Sequence, residues 1–487
     1  MRILHISTRL ILGGSQENTI LSCEGQARLG HEVHLAFGPI YGPEGSLRAR
    51  VEAFNTRCGA GEERVRPVGG HGPVREAGSV CAPIVMHEVK DLVREVSPLK
   101  DWRCTGALRR LIEEIGADVV HTHSSKAGIL GRSAAWSARA KSRNEPGRSS
   151  GRPGVVHTIH GPPFMPIDGG LVARAKTWAL NRAYTLAERR AAKRCDMIVS
   201  VADAMTREFL GRGIGREPQY VTVRSGMETG PFLHAARGAG REEVRASLGV
   251  AHDPGAAFVV GTVARLAQHK GHDDVLDALG EELLARRGLV LLWVGDGWWR
   301  ERLVARARGM GLIVREMDQG DSSAQSSTRE ASAGSSPRLA ESRENVSARD
   351  SDPPQVIVTG LVPPERIPGL MRAMDVLVHP SYREGLPRTV PQALLAGTPV
   401  VASDVDGTRE ACIDPTISGE DGATGLLFPV GDATRLREAV VWMHEHPLER
   451  AAMAEHGRRM CAREYDAELM VARLEAVYAR ATAGGVR

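Results

Sequence analysis

Short apolar segments alternate with longer amphipathic segments along almost the whole chain. Each apolar segment has the length of a buried strand, and the stretch between two of them is long enough for a helix. This alternation is typical of parallel sheets that are covered by helices. We predict six strands in the first half, RILHIS, EVHLAF, DVVHTHS, VVHTIHG, MIVSVA and YVTVRSG, and six in the second half, FVVGTVARL, VLLWVGDG, QVIVTG, DVLVHPS, TPVVASD and TGLLFPV.

The two series of strands predict two Rossmann-like, doubly wound α/β domains. A chain of 487 residues is too long for a single hydrophobic core. We place the N-terminal domain at residues 1–228 and the C-terminal domain at residues 229–465. Residues 466–487 belong to a last helix, roughly 462–483, that is long enough to cross back to the first domain.

Two stretches interrupt this pattern. Residues 55–85 are rich in Gly, Pro and Arg, and we predict a long loop or an insertion there. Residues 318–354 are rich in Ser and almost free of large apolar side chains, so burial cannot offset the entropy of ordering them. We therefore predict a disordered insert before the strand QVIVTG.

Composition and charge narrow the class of protein. The chain is 42% hydrophobic and 25% charged, and its net charge of +4 is too small to argue for a nucleic-acid partner. The seven Cys residues include no CxxC pair, which favours free thiols in a reducing compartment and disfavours a structural zinc site. The N-terminal MRILHISTRLILGG is typical of a first strand rather than a signal peptide, and no stretch approaches the roughly 20 apolar residues of a membrane span. We expect a cytoplasmic protein.

A basic helix over residues 174–194 offers a route to the inner face of a membrane. Such a helix can lie on an anionic membrane as a peripheral contact, or it can form an ordinary solvated face. Its basic residues are Arg174, Lys176, Arg182, Arg189, Arg190, Lys193 and Arg194.

A glycine pair separates the first predicted strand from a helix. In LILGGSQENT, residues 10–19, Gly13 and Gly14 let backbone N–H groups approach a ligand, and the N-terminus of a helix favours negative charge. The pattern is not GxGxxG, so a tight turn without a ligand is the alternative to a phosphate-binding turn.

Four His residues lie at the C-terminal ends of two predicted strands. His121 and His123 alternate onto one face, and His157 and His160 end the next strand in the same way. Zinc is disfavoured because no Cys or carboxylate accompanies them in a familiar ligand spacing. Ligands of open α/β sheets gather at the carboxyl ends of strands, so we expect at least one of these His side chains to contact a substrate. The alternative is a His that bonds backbone groups in the cleft wall.

Two cations follow the first strand of the second half. Arg265 and Lys270 lie five residues apart in the loop before a helix, where they suit a diphosphate: Arg as a planar fork and Lys as a point charge. Ordinary surface cations would show the same spacing, so this motif alone leaves both interpretations open.

The stretch SYREGLPRTVPQALLAG joins a carboxylate to the start of a helix. Pro391 fits the first helical residue, where its missing N–H is harmless, and this places Glu384 in the loop facing the helix N-terminus. A carboxylate in a cleft can accept hydrogen bonds from two sugar hydroxyls, and free N–H groups at residues 385–388 can receive phosphate oxygens. Two DxD pairs, at 350–352 and 404–406, lie outside the context of a metal-bound nucleotide site, which disfavours a metal-dependent reaction.

These motifs together resemble the family 4 glycosyltransferases of the GT-B type. The most specific part is EGLPRTVPQALLAGTPVVASDVDGTRE, residues 384–410, which is similar to the Glu-x7-Glu region of that family. VARLAQHKG, VGDG, GATGLLF and HTHSSKAGILGR support it, and the resemblance covers nearly the whole chain except the Ser-rich insert.

The resemblance implies a retaining, metal-independent enzyme that needs no cofactor. The C-terminal domain would hold a UDP- or GDP-linked hexose or N-acetylhexosamine, and the N-terminal domain a glycan or lipid-linked acceptor. The leaving phosphate would help to deprotonate the acceptor in a front-side displacement, so no enzyme base is required. The implied catalytic residues are Glu384, His123, Arg265 and Lys270, and the implied donor-binding residues are Gly13, Gly14, Arg265, Lys270, Glu384, Gly385, Leu386 and Gln392.

The implied roles follow from the matching positions. Arg265 and Lys270 would neutralise the diphosphate and stabilise the leaving group. Glu384 would bind hydroxyls of the transferred sugar, with the N–H groups of Gly385 and Leu386 on sugar or phosphate oxygens. His123 would lie beside the sugar, and the glycine pair near the phosphates.

One position departs from the family pattern. The second Glu of that motif, which usually accepts the ribose hydroxyls, is Gln392 here. We expect the exchange of a charged for a neutral acceptor to weaken donor binding by about 1–2 kcal/mol without removing a catalytic group. The alternatives are a sugar-nucleotide epimerase of similar architecture and a catalytically degenerate protein that binds sugar nucleotides.

Overall fold

A computed structural model describes most of the chain. It covers residues 1–487 except 42–44, 66–77, 143–151, 165–170, 238–239, 251–256, 287, 318–352, 420–421 and 484–487. The predicted disordered insert at 318–354 therefore lies almost entirely outside the described residues.

The first half of the chain forms one parallel sheet of seven strands. Its strands follow one another in the order β3-β2-β1-β4-β5-β6-β7. The central strands are buried on both faces, which explains why their sequences are largely apolar. The strands are β1 (Arg2–Ser7), β2 (Glu32–Phe37), β3 (Val85–Glu88), β4 (Val119–His123), β5 (Gly154–Ile159), β6 (Met197–Ser200) and β7 (Tyr220–Thr222). The helices between them are α1 (Gly14–Arg28), α2 (Arg48–Gly59), α3 (Pro98–Ile115), α4 (Ser125–Ser142), α5 (Leu171–Ala192) and α6 (Asp203–Gly211).

The second half forms another parallel sheet of seven strands, in the order β10-β11-β9-β8-β12-β13-β14. The strands are β8 (Phe258–Val263), β9 (Leu289–Val294), β10 (Val314–Glu316), β11 (Val356–Val358), β12 (Val376–His379), β13 (Val400–Ser403) and β14 (Gly425–Phe428). The helices are α7 (Thr229–Arg237), α8 (Arg241–Ser247), α9 (His272–Ala285), α10 (Arg300–Gly309), α11 (Ile367–Ala373), α12 (Thr389–Leu395), α13 (Pro415–Ser418), α14 (Ala433–Glu445), α15 (Pro447–Glu464) and α16 (Ala467–Thr482). Two Rossmann-like sheets confirm the predicted fold class.

Each sheet has one strand more than the sequence predicted. The additional strands, β3 and β10, are the outermost strands of their sheets and span only four and three residues. Their side chains are mostly exposed or half-buried, so they carry no apolar signal. The loop predicted from residue 55 is also wrong at its start, because α2 continues to Gly59 and buries Phe54 and Cys58.

The end of the chain returns to the first sheet. The helix predicted at 462–483 is two helices, and the second begins after Asp466, whose carboxylate accepts from the N–H of Glu468 (2.8 Å). Helix α16 packs Leu474, Val477 and neighbouring apolar residues onto side chains of β1, β4, β5 and β6. The sheet is therefore covered by a segment that lies beyond the whole second sheet in sequence.

The strand order determines where ligands can bind. In the first sheet the connections reverse direction between β1 and β4, and in the second between β8 and β12. At such a switch point the loops after the two strands diverge and leave a crevice at the carboxyl ends. The motifs that follow β1, β4, β8 and β12 are therefore brought to two crevices.

Candidate active site

A cavity of about 1220 Å³ lies between the two sheets and contains both crevices. Its wall on the first domain includes Gly14, Ser124 and His160, and its wall on the second includes Arg265 and Glu384. The predicted residues Gly13, Lys270, Gly385 and Leu386 also line it. The cavity thus collects most of the residues that the sequence singled out.

Glu384 is a buried carboxylate held by two donors. Its Oε1 atom accepts from Lys270 Nζ at 2.5 Å and lies 3.2 Å from His379 Nε2. Burial alone would raise the pKa of Glu384, but the ammonium of Lys270 and the hydrogen bond from His379 hold it well below its usual range. Glu384 is therefore ionised and fixed in position at neutral pH.

The loop that carries Glu384 is fixed by a strained residue. Asp406 has a φ of 41°, and its Oδ2 atom accepts from the backbone N–H of Glu384 at 2.9 Å. Ser124, with a φ of 63°, is the other non-glycine residue with positive φ in the described ranges, and it lines the same cavity. Both strained residues thus lie at this site, where the surrounding contacts stabilise them.

The two cations after β8 both reach the cavity. Lys270 ends a 3-10 turn, Gln268–Lys270, and Gly271 follows it with a φ of 68°. A Cβ atom on Gly271 would lie 2.1 Å from the carbonyl oxygen of Pro380, so a glycine is required for this loop to meet the loop after β12. The guanidinium of Arg265 lies 5.6 Å from the ring centroid of Trp298.

The loop after β12 touches the first domain through glycines. A Cβ atom on Gly385 would lie 2.0 Å from the carbonyl oxygen of His160. The N–H of Gly407 donates to the carbonyl of Gly385 at 3.2 Å and closes the loop from the other side. The backbone of the second domain therefore lies directly against the end of β5.

The glycine pair also contacts the second domain. Gly14 begins α1, and its carbonyl accepts from Arg388 Nη1 at 3.2 Å. Arg388 Nη2 forms an ion pair with Glu17 in the first turn of the same helix, at 3.1 Å. Arg388 thus connects the two walls of the cavity at the place predicted for phosphates.

The His residues at the ends of β4 and β5 occupy two depths. His160 lines the cavity, whereas His123 is 1% exposed and lies behind it, with its Nδ1 atom 3.0 Å from His160 Nε2. His123 is not among the residues that line the cavity, and the placement of its ring beside the sugar stays a prediction. His157 lines the cavity and bonds Thr122, with its Nδ1 atom 2.9 Å from the Thr122 hydroxyl.

A further His, His5, forms a buried cluster with His121 and His123. His5 on β1 pairs in register with His121 on β4, and its ring also contacts His123. Within the described residues these three His side chains form the one group that could hold a metal ion. All six of their ring nitrogens, however, have hydrogen-bond partners in the protein.

Gln392 lies apart from the cavity wall. It is half-buried in α12 and is not among the residues that line the cavity. The helix begins at Thr389, so Pro391 is its third residue rather than its first. The backbone N–H groups of the first and the third residue of a helix both lack an acceptor within the helix, so Pro is tolerated at either position. Pro391 therefore could not identify the first residue of this helix. The weakened ribose contact of Gln392 stays a prediction.

Sequence reasoning missed the residues that position Glu384. His379 ends β12 and bridges Glu384 to the hydroxyl of Thr389, which lies 3.1 Å from its Nδ1 atom. Asp406 was considered only as half of a DxD pair. The sequence did contain a signal for His379, because it is a His at the carboxyl end of the strand that precedes the Glu384 loop.

Comparison with protein families gives two matches. A model described as Glycosyltransferase Family 4 matches residues 12–222, and one described as Glycosyl transferases group 1 matches residues 302–446. Similar curated proteins include the 2-deoxystreptamine N-acetyl-D-glucosaminyltransferase of Streptomyces fradiae, 28% identical over 66% of this chain and 70% of the relative. The UDP-Gal:alpha-D-GlcNAc-diphosphoundecaprenol alpha-1,3-galactosyltransferase of Escherichia coli is 25% identical over 66% of both chains. The 2-deoxystreptamine glucosyltransferase of Streptomyces kanamyceticus is 27% identical over 61% of this chain and 60% of its own, so the matches span about two thirds of these relatives.

Solved structures share the fold over almost the whole chain. The structure of Anabaena HepE with UDP and glucose has a TM-score of 0.64 at 16% identity, and it covers 98% of this chain and 99% of HepE. WaaG, a glycosyltransferase involved in lipopolysaccharide biosynthesis, has a TM-score of 0.58 at 16% identity, with 100% of both chains covered. Two such facing Rossmann-like domains are the GT-B arrangement.

Proposed function

Because the chain belongs to the family 4 glycosyltransferases, whose members use nucleotide sugars, we propose that it transfers a hexose or N-acetylhexosamine with retention of configuration. The donor is a UDP- or GDP-sugar bound by the second domain, residues 229–465. The acceptor is a glycan or a lipid-linked sugar bound by the first domain, residues 1–228. Names of relatives support the choice of sugar, since they include glucosyl, galactosyl and N-acetylglucosaminyl transferases.

The observation that carries this proposal is the ionised Glu384 in a cavity shared by both domains. Its carboxylate is held by Lys270 and His379, so it stays charged and oriented without a ligand. A buried carboxylate in this state accepts hydrogen bonds from sugar hydroxyls, each worth about 1.5–3 kcal/mol. Glu384 therefore binds the transferred sugar, and Lys270 prevents its protonation.

The diphosphate is stabilised by side chains and backbone rather than by a metal. Arg265 and Lys270 line the cavity as cations, and the start of α1 at Gly13 and Gly14 faces it from the other domain. The N–H groups of Gly385 and Leu386 supply further donors. Positive groups around a leaving diphosphate lower the barrier by stabilising charge that develops in the transition state.

His160 replaces His123 as the ring that contacts the substrates in this proposal. It lines the cavity at the end of β5, close to the loop that carries Glu384. His123 contributes through its contact with His160.

The test is a panel of UDP- and GDP-sugars with the purified protein. Nucleotide release by hydrolysis identifies the donor, and an acceptor panel then includes both lipid-linked sugars and aminocyclitols, the acceptor types in the names of the relatives. Rates unchanged by EDTA support a reaction without a metal. Interconversion of the donor without transfer would instead indicate an epimerase, and nucleotide binding without turnover a degenerate protein.

Two substitutions separate sugar binding from ribose binding. Glu384→Ala should reduce kcat/KM about 100-fold, since it removes charged contacts to the sugar worth roughly 3 kcal/mol. Gln392→Ala should mainly raise the donor KM, and Gln392→Glu should lower it. Equal losses of turnover from Glu384→Ala and Gln392→Ala would refute these roles.

Contact with a membrane surface would bring the enzyme to a lipid-linked acceptor. Helix α5 exposes Trp178 and Leu186 between Arg174, Arg182 and Arg190, an arrangement that suits an anionic interface. In the part of the chain that the structure describes, no helix is long and apolar enough to cross a membrane.

Sedimentation with vesicles tests this contact. Binding to vesicles that contain anionic lipid, weakened by Trp178→Ala and by high salt, supports the proposal. Trp102→Ala is a matched control, because Trp102 is also largely exposed but lies on α3. Equal binding to neutral vesicles would contradict an electrostatic contact.

A further inference from the structure

A chain of buried hydrogen bonds runs from helix α16 to the cavity, and we propose that it holds His160 in the tautomer whose Nδ1 atom accepts a hydrogen bond from a substrate hydroxyl. The residues behind His160 are positioning residues, because they do not line the cavity themselves. The substrate contact rests on the proposed function, whereas the tautomer of His160 does not.

The chain consists of four contacts. Gln26 Nε2 donates to the hydroxyl of Tyr478 at 2.8 Å, and Gln26 Oε1 lies 2.7 Å from His5 Nε2. His5 Nδ1 lies 2.9 Å from His123 Nε2, and His123 Nδ1 lies 3.0 Å from His160 Nε2. Tyr478, Gln26, His5 and His123 are at most 1% exposed, so water does not compete for these bonds.

The amide of Gln26 sets the direction of every bond in the chain. An amide oxygen only accepts, so His5 Nε2 carries the proton and His5 Nδ1 is an acceptor. His123 Nε2 must then donate to His5, which leaves His123 Nδ1 to accept from His160 Nε2. A neutral His160 therefore keeps its Nδ1 atom without a proton.

The rings are neutral, as this argument requires. Burial lowers the pKa of His5 to about 4 and the pKa of His160 to about 3, and it lowers the pKa of His123 well below its usual value. Each ring thus has one donor and one acceptor at neutral pH.

Helix α16 fixes the amide that starts the chain. Tyr478 accepts from Gln26 and lies 2.7 Å from His121 Nδ1, while His121 Nε2 lies 2.7 Å from the hydroxyl of Thr158. If the amide of Gln26 turned over, every donor in the chain would become an acceptor, and His160 would present an N–H instead. Tyr478 and His121 therefore influence whether His160 presents a donor or an acceptor to the cavity, because they hold the Gln26 amide in one orientation.

A metal ion in the His cluster is the competing interpretation. His5, His121 and His123 could ligate an ion with nitrogens that lie within 4.8 Å of one another. Both ring nitrogens of His5 and both of His123 form bonds of this chain, so neither ring can ligate a metal without losing one of them. Stoichiometric metal in the purified protein would therefore overturn the proposed chain.

The direct test is NMR of protein with ¹⁵N-labelled His rings. The signal of His160 is assigned by its loss in His160→Gln, and we expect the tautomer with the proton on Nε2. Gln26→Met removes the acceptor for His5 and should shift His160 to a mixture of tautomers. Tyr478→Phe, which leaves Gln26 without its partner, should do the same and serves as the second variant if Gln26→Met does not fold.

Kinetics then connect the tautomer to the reaction. Both variants should reduce kcat about fivefold to tenfold with little change in donor KM, the effect of one misdirected hydrogen bond. Tyr465→Phe is the control, since Tyr465 is also fully buried and the variant loses one hydrogen bond, to the carbonyl of Glu410 (2.9 Å). Tyr465 is not a member of the hydrogen-bond chain.

Each outcome decides between the proposals. The proposed hydrogen-bond chain would be refuted if the unaltered protein carried the proton on Nδ1 of His160. It would also be refuted if neither variant changed the tautomer of His160. Changed tautomers with unchanged kcat would overturn the substrate contact of His160. If no sugar nucleotide is turned over, the proposed function fails, yet the NMR result still decides whether the chain exists.

Discussion

The contact between Gly385 and the end of β5 leads to a sharp prediction. A methyl group on Gly385 would place its carbon 2.0 Å from the carbonyl oxygen of His160 and 2.8 Å from the Cα atom of Gly161. Cβ atoms essentially never approach another atom within 3.0 Å, and the neighbour here is backbone. The Gly385→Ala variant must therefore move the two loops apart by about 1 Å, the difference between these distances.

That displacement separates the two walls of the active site. Glu384 and His160 lie on opposite sides of this contact, so the distance between their side chains changes. A misplacement of about 1 Å costs roughly 100-fold in rate, and we expect kcat/KM for nucleotide-sugar turnover to fall by that factor. The melting temperature should change little, because the clash lies between the domains and opening the cleft relieves it.

The matched control is Gly161→Ala, on the opposite side of the same contact. Its Cβ atom would lie 3.6 Å from the nitrogen of Gly385, an ordinary van der Waals distance. We expect kcat/KM within a factor of two or so of the unaltered enzyme, since no atom has to move. Similar activity of both variants would refute the reasoning, because the contact would then not exist in the working enzyme.

Three further predictions concern stability. The ion pair of Arg132 and Glu188 has side chains that are 0% and 2% exposed, so Arg132→Met should lower the free energy of unfolding in urea by about 3–5 kcal/mol, and adding Glu188→Leu should restore most of it. If the double variant did not recover stability, the unpaired charge of Glu188 would not be the cause of the loss. Asp466→Ala removes the N-cap of α16 and should cost about 1 kcal/mol in thermal unfolding, whereas Asp466→Asn should cost less. Burial lowers the pKa of His5 to about 4, so the unfolded chain binds a proton between about pH 6.5 and 4 that the folded chain does not. Stability should fall as the pH decreases through this window, by about 1.4 kcal/mol per pH unit for this group, and His5→Gln should flatten that slope.

Strands that are buried on both faces could be predicted, because such burial makes their sequences largely apolar. All twelve predicted strands are present. The edge strands β3 and β10 could not be predicted, since an outer strand needs little apolar surface. The start of α12 was missed by two residues because all positions in the first helical turn tolerate Pro.

The site was predictable where one loop carries the signal. Arg265 and Lys270 lie in the segment between β8 and α9, and Glu384 lies in the loop after β12, so the strand order brings them to one edge of the sheet. His5 was missed because a single His in a strand is unremarkable until the register of β1 and β4 places it beside His121. The contact of Arg388 with Glu17 depends on how the two domains face each other, which no local pattern encodes.

The return of α16 to the first sheet has a consequence for the order of synthesis. Ile3 and Val119 leave the ribosome long before Leu474, which covers the same face. During translation that face therefore stays open to water or to a chaperone while the entire second sheet is made. The hydrophobic cluster on this face of the first sheet is therefore complete only after α16 has docked.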